Sequence, residues 1–260
     1  MKYKAKKSLG QNFLTDKNIL KKIVKIGNIT KEDKVLEVGP GTGNLTEYII
    51  KSNPKNIIVV EKDNELVKIL ENKFKKDIKI INEDVLRLTD NFYNEKFIIY
   101  GNLPYNISTK ILSNWCLSKK INFQKLILMF QKEVADRIIA KVNTRYYSRI
   151  TILANWKFDI KKIFDISPAC FTPKPKITST LLEFIPKKDI TEIKNPKNLE
   201  NITKIFFSQR RKMIKKNFIR LFKNFNSLSN KLNIKLTDRP QNISVEKFLI
   251  LAKEYENQSN

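Results

Sequence analysis

KVLEVGPGTGNLTEYI, residues 34–49, decides how the rest of the chain is read. KVLEV is a short apolar run with the β-branched character of a buried strand. Gly39-x-Gly41-x-Gly43 then lets the backbone turn sharply and approach a neighbour where a Cβ would collide. NLTEYIIK, residues 44–51, has helical spacing. Strand, glycine loop and helix in that order open a parallel α/β unit.

Working outward, strand-like runs recur at 56–60 (NIIVV), 78–81 (IKII), 97–100 (FIIY), 125–130 (KLILMF), 150–158 (ITILANWKF) and 179–185 (STLLEFI). Helical patterns such as NELVKILENKFKK, 64–76, separate the early ones. This alternation predicts an α/β fold, a Rossmann-like, mostly parallel doubly wound sheet. Between the last two runs lies only a stretch marked by Pro168, Pro173 and Pro175, which predicts an antiparallel final strand. After Pro186 the character changes. KKDITEIKNPKNLEN reads as a polar linker, and 202–222 and 244–255 read as amphipathic helices, the latter capped by Ser244. The expected division is an α/β domain at 1–186 and a small helical domain at 187–260.

Composition narrows the chemistry. The 260 residues carry a formal charge of +25, from 43 lysines and eight arginines against 26 acidic residues. Lysine, asparagine and isoleucine are all abundant, as an AT-rich coding background produces, so paired arginines are the more informative cations. The charge is spread along the chain and is not confined to one amphipathic helix, which favours a nucleic-acid partner over a membrane. There is no histidine, which excludes Ser-His and Cys-His catalysis and His-ligated zinc. Cys116 and Cys170 lack CxxC spacing, and no metal is expected. No segment has the uninterrupted apolar length of a membrane span, and the basic N-terminus has no apolar stretch behind it, so a cytoplasmic location is expected.

The glycine loop departs from the dinucleotide fingerprint, since Asn44 stands where a third-turn glycine would be. A phosphate-free nucleoside, S-adenosylmethionine, fits better, although a lone G-x-G-x-G serves equally as a tight turn. Glu61 ends the second strand-like run, 22 positions after Gly39, where an acidic side chain takes ribose hydroxyls. Asp84 follows the third run and is placed to accept from the adenine amino group. Either carboxylate alone reads as a solvated strand end. Together with Gly39 and Gly41, in register at successive strand ends, they read as a methyl-donor site.

Asn102-Leu103-Pro104-Tyr105 ends the run at 97–100. It is of the (N/D/S)-P-P-(Y/F/W) type used for methylating exocyclic amino groups. Such an amine is a poor nucleophile because its lone pair is delocalised into the ring. The Asn102 oxygen and the Leu103 carbonyl could accept its two hydrogens and stabilise positive charge developing on nitrogen, with no tuned base required. Pro104 fixes the backbone, and Tyr105 offers a flat face to an extruded base.

On these motifs the chain resembles the ribosomal RNA adenine dimethyltransferase family, in its small-subunit (16S) branch. The resemblance runs through KKSLGQNFLTD (6–16), VLEVGPGTGNLT, VVEKD, EDVL, GNLPYNIST, FQKEVADRI (130–138), SPACFTPKPKITSTLLEF (167–184), FFSQRRKMIKKNF and RPQNISVEKFLILA. It implies that Gln11, Asn12 and Leu14 line the donor site with Gly39, Glu61, Asp84 and Asn102. It also implies that Phe171 sandwiches the target adenine opposite Tyr105. The implied reaction is dimethylation at N6 of two adjacent adenosines in small-subunit RNA within a pre-30S particle, by a monomer. Arg210, Arg211, Lys212, Lys215 and Lys216 are placed to hold RNA phosphates. Lysine at 174, 215 and 216, where the family often has proline or arginine, keeps the charge and loses bidentate geometry. Two other readings stand beside this one: a large-subunit adenine methylase of the antibiotic-resistance type, and a non-catalytic ribosome-assembly factor.

Overall fold

The computed structural model describes residues 3–6, 10–88, 95–119 and 122–258. Its strands are β1 (Phe13–Leu14), β2 (Lys34–Val38), β3 (Asn56–Glu61), β4 (Lys79–Asn82), β5 (Phe97–Asn102), β6 (Phe123–Gln131), β7 (Phe158–Ile166), β8 (Phe171–Thr172) and β9 (Ser179–Pro186). Seven of them form one sheet in the order β4-β3-β2-β5-β6-β9-β7. β4, β3, β2, β5 and β6 run parallel, and β9 joins β6 antiparallel. The predicted doubly wound sheet and its antiparallel end are therefore present. β1 and β8 make a separate two-stranded ladder.

The chain divides into two compact units. The first comprises Met1–Trp115, Lys120–Ala135 and Asp159–Pro186 and holds the sheet. It contains α1 (Lys17–Gly27), α2 (Asn44–Lys51) and α3 (Asn64–Phe74), and α4 (Ser108–Leu117) and α5 (Lys132–Ile138) begin in it. Asp16 caps α1 through the N–H groups of Asn18 and Ile19, and Leu20, Ile23 and Val24 turn inward. The Tyr100 hydroxyl donates to the Val24 carbonyl at 2.9 Å, tying β5 to α1 inside the core.

The second unit comprises Cys116–Lys119, Asp136–Phe158 and Lys187–Asn260. It contains α6 (Arg149–Lys157), α7 (Pro196–Phe207), α8 (Lys215–Leu221), α9 (Phe225–Lys231) and α10 (Val245–Gln258). The change of character after Pro186 predicts a start at 187, yet the unit also includes Cys116–Lys119 and Asp136–Phe158. The reason is α6, whose Ile150, Ile152, Leu153, Ala154 and Trp156 are all buried and which packs on α7 and α10. That run was expected to be a strand. An apolar run buried on every side has no readable period, and the neighbouring strand starts only at Phe158.

Two further expectations are corrected here. The helix predicted across 202–222 breaks after Phe207, because the N–H groups of Ile214 and Lys215 donate to the carbonyls of Asp238 and Leu236 in place of the preceding turn. The linker at 187–195 is tied down at several points. Thr191 accepts from the Trp156 indole at 2.8 Å, and the N–H groups of Lys194 and Asn195 donate to the buried carboxylate of Glu256. Among the described residues no helix is long and apolar enough to cross a membrane.

Candidate active site

Strand register explains why the predicted residues meet. Val38 pairs with Val60 on one side and with Gly101 on the other. The next residues along each strand are Gly39, Glu61 and Asn102, so these three emerge together. Glu61 pairs in turn with Asn82, which sets Asp84 two residues further along the same edge. This is the carboxyl edge of the parallel strands, where such sheets bind ligands. An open cleft of about 230 Å³ lies there, and its lining includes Gln11, Asn12, Gly39, Gly41, Glu61, Asp84, Asn102, Leu103, Pro104 and Tyr105.

Gly39 and Gly41 have φ of 69° and 59°, which a side chain rarely tolerates. A Cβ on Gly41 would lie 2.7 Å from the Phe13 ring, so packing also demands glycine there. A Cβ on Gly39 would instead make one ordinary van der Waals contact, with the Asn102 carbonyl at 3.9 Å, so there the positive φ is what favours glycine. The loop is closed from beneath by Glu61. Its two oxygens accept from the N–H groups of Gly41 at 3.2 Å and Asp63 at 2.9 Å. The side chain is only 8% exposed, and burial raises its pKa although those N–H groups oppose the shift. Each oxygen keeps a second lone pair for a ligand hydroxyl.

Asp84 sits at the rim. One oxygen caps the following 3₁₀ turn through the Leu86 N–H at 3.0 Å, and the other meets the Lys62 ammonium at 2.9 Å. That ammonium holds the carboxyl below its ordinary range despite partial burial.

In the Asn102–Tyr105 turn, the Leu103 side chain is buried against the core while its carbonyl has no partner among the described residues. The Asn102 amide nitrogen donates to the Asn12 carbonyl at 2.8 Å. Tyr105 is half-buried, and its hydroxyl shares a 2.6 Å hydrogen bond with buried Ser179.

Sequence reasoning missed Asp63. Its buried carboxylate accepts from Tyr3, Lys6, Gln11 and the Glu65 N–H, capping α3 and pinning the N-terminal segment. Burial alone would raise its pKa, but these donors, led by the Lys6 ammonium, hold it below the ordinary range. The only available signal was an aspartate one residue before a helical pattern, which reads as a simple cap. Gln11 is committed to the same cluster, its oxygen accepting from the Tyr3 hydroxyl and the Lys6 N–H. Within the 6–16 motif, residues 7–9 lie outside the described residues.

Phe171 does not line the cleft, and Leu14 instead lines a smaller cavity that shares Phe13, Gly39 and Asn102 with it. Leu14 and Phe171 are paired with each other across the β1–β8 ladder, 5% and 3% exposed, inside the hydrophobic core. A leucine and a phenylalanine facing each other there gain more from apolar burial than from contact with a polar cleft. Of the predicted phosphate-binding set, Arg211, Lys212, Lys215 and Lys216 are exposed. Arg210 is instead half-buried, with its guanidinium donating to the Thr144 carbonyl at 3.2 Å.

The family model described as ribosomal RNA adenine dimethylase matches residues 2–257. "Ribosomal RNA small subunit methyltransferase A" of Pelagibacter ubique is 54% identical, over 97% of each chain. The chain belongs to this family. It is therefore an S-adenosylmethionine-dependent adenine dimethyltransferase with a Rossmann-like core and a helical part. Among solved structures, a dimethyladenosine transferase from Plasmodium falciparum superposes with a TM-score of 0.80 at 26% identity, covering 95% of this chain and 98% of its own. The 23S rRNA methyltransferase ErmE shares the fold, with a TM-score of 0.68 at 21% identity, covering 94% of this chain and 99% of its own. The dimethyltransferase site fits its donor on local grounds. The cleft is lined by the glycine loop at Gly39, by the accepting carboxylate of Glu61, and by Asn102 and Leu103, which carry two carbonyl-type oxygens.

Proposed function

We propose that the chain transfers methyl groups to N6 of two adjacent adenosines in small-subunit ribosomal RNA, acting on a pre-30S particle as a cytoplasmic monomer. The observation that carries this reading is the pair of acceptors at the Asn102–Leu103 turn, beside the Gly39–Glu61 corner. Glu61 accepts from ribose hydroxyls, and Asp84 accepts from the adenine amino group of the donor once Lys62 yields one of its contacts. Gly39 and Asn12 flank the bound donor. S-adenosylmethionine, when bound, supplies an electrophilic methyl group on a sulfonium.

The chain's own residues do the rest. Tyr105, its ring held through Ser179, stacks the target base after it leaves the RNA. The Asn102 oxygen and the Leu103 carbonyl accept the two N6 hydrogens and aim the lone pair. Both oxygens stabilise the positive charge that develops on nitrogen, and they are already in place before reaction. A transfer breaks the bond from methyl to sulfur, leaving a neutral thioether, and the methylated nitrogen, now cationic, releases one proton to water. The one hydrogen that remains can be held by either acceptor, so a second transfer from fresh donor uses the same geometry. Phe171 takes no part in this arrangement while it stays in the core. The helical part beyond 187 supplies phosphate contacts through Arg211, Lys212, Lys215 and Lys216.

The name of the Pelagibacter relative supports the small subunit as target. The likeness to ErmE is one of fold and lends the large subunit no separate support. The test is incubation of the protein with tritiated donor and with 30S or 50S particles lacking the modification. Label in 30S particles alone is the expected result. Label in 50S particles, or in neither, contradicts the proposal.

A further inference from the structure

Met213 and Ile219 are the two most exposed large apolar side chains among the described residues, at 60% and 49%. Single apolar residues on a surface need no explanation. These two are unusual in their setting. They lie in one stretch, 211–223, together with exposed Arg211, Lys212, Lys215, Lys216, Arg220 and Lys223. None of those six cations forms an ion pair among the described residues. The wider segment 201–237 contains ten lysines and arginines and no carboxylate, whereas the whole chain averages one acidic residue in ten. A lysine-rich background explains the lysines. It does not explain 37 consecutive residues without aspartate or glutamate.

Local structure keeps both side chains outside. Ile214, Phe218 and Phe222 carry the buried face of this stretch and are 0–1% exposed. Ile219 is four residues from Lys215 and three from Lys216, so in α8 it shares their outward face. Met213 precedes the helix, between Lys212 and buried Ile214.

A surface this dense in lysine does not match a protein partner, because lysine is depleted at protein interfaces. RNA fits both halves of the pattern. Its phosphates take the cations, and the wide, shallow minor groove of an A-form helix presents ribose faces and base edges between phosphate rows. Methionine, unbranched and polarizable, adapts to such an irregular surface. We propose that Met213 and Ile219 are apolar contacts to ribosomal RNA, seated against ribose or base faces between phosphates held by the flanking cations. This inference rests on the reading above that the helical part binds RNA.

The two kinds of contact separate by their response to salt. Removing a phosphate contact changes the slope of log affinity against log salt, whereas removing an apolar one lowers affinity equally at every salt concentration. The experiment measures binding of the intact Met213→Gln/Ile219→Gln variant to naked small-subunit RNA and to pre-30S particles across a salt series. No donor is present, so a failure of methyl transfer does not affect the readout. The expected result is affinity for naked RNA weakened by about tenfold with the salt slope unchanged. Lys215→Gln/Lys216→Gln should instead flatten the slope by roughly one to two units. Unchanged affinity for naked RNA overturns the proposal. So does a loss seen only with particles, which would identify a protein contact, or a loss accompanied by a changed slope. Both substituted side chains are exposed, so the fold should be unaffected, and circular dichroism checks that.

Discussion

The amide nitrogen of Asn102 donates to the carbonyl of Asn12 at 2.8 Å. A carbonyl can only accept, so the NH₂ end of the Asn102 side chain must face it, which leaves the oxygen end free. The N-terminal segment thereby fixes the orientation of the Asn102 amide where it lines the cleft. Asn102→Ala should therefore slow methyl transfer in a single turnover by about a hundredfold or more, the scale seen when one preorganised polar group at a reacting centre is lost. Donor affinity, measured in parallel by calorimetry, separates this from a binding defect. A single-turnover rate near wild type would remove Asn102 from the mechanism.

Glu61 has a double role, because the same carboxylate shapes the glycine loop and faces the cleft. Glu61→Ala leaves the Gly41 and Asp63 N–H groups without their acceptor, which should cost about 1–3 kcal/mol of stability. Donor affinity should fall by about tenfold or more, since a hydrogen bond to a charged acceptor contributes roughly 1.5–3 kcal/mol. If both Glu61→Ala and Asp84→Ala bind donor as wild type does, the donor site lies elsewhere.

Asp63 should control how firmly the N-terminal segment is held. Asp63→Ala removes the common partner of Tyr3, Lys6 and Gln11. Amide hydrogen exchange across residues 10–14 should quicken, and donor should dissociate faster, while the central strands stay protected. Exchange in 10–14 equal to wild type would show that the ladder of β1 with β8 suffices by itself.

How much of this was legible in the sequence depends on the kind of signal. The strand–loop–helix at 34–51 was readable because glycine at positive φ and strand-to-helix periodicity agree. Glu61, Asp84 and Asn102 were readable because parallel register places equivalent strand ends side by side. β7 was missed because FDIKKIFDI is an edge strand whose exposed Lys161 and Lys162 interrupt its apolar pattern. α6 was mistaken for a strand because burial on all sides erases the helical period. Phe171 illustrates a different limit: a motif places a residue in a list of site positions, while packing decides where its ring rests.

Glu37 offers a test of burial through pH. It lies in the middle of β2, fully enclosed, accepting from the Thr46 hydroxyl at 2.7 Å, and burial with the nearby Glu61 charge raises its pKa to about 7. An unfolded glutamate titrates near 4.3, so between about 4.3 and 7 the folded protein holds a proton that the unfolded chain has released. The folded state binds more protons in that window, and stability must fall as pH rises through it, by on the order of 2–3 kcal/mol, then level off. Urea unfolding at pH 5 and pH 8 should show this drop, and Glu37→Gln should largely abolish it. Equal pH dependence in wild type and variant would contradict the assignment.

The central claim is that one acceptor pair, the Asn102 oxygen and the Leu103 carbonyl, supports two successive transfers to each of two neighbouring adenosines. Mass spectrometry of nucleosides from 30S particles lacking the modification, after treatment with protein and S-adenosylmethionine, measures that outcome directly. The account predicts N6,N6-dimethyladenosine at two residues per particle in small-subunit RNA. Monomethyladenosine as the sole product, or dimethyladenosine formed only in 50S particles, would contradict it.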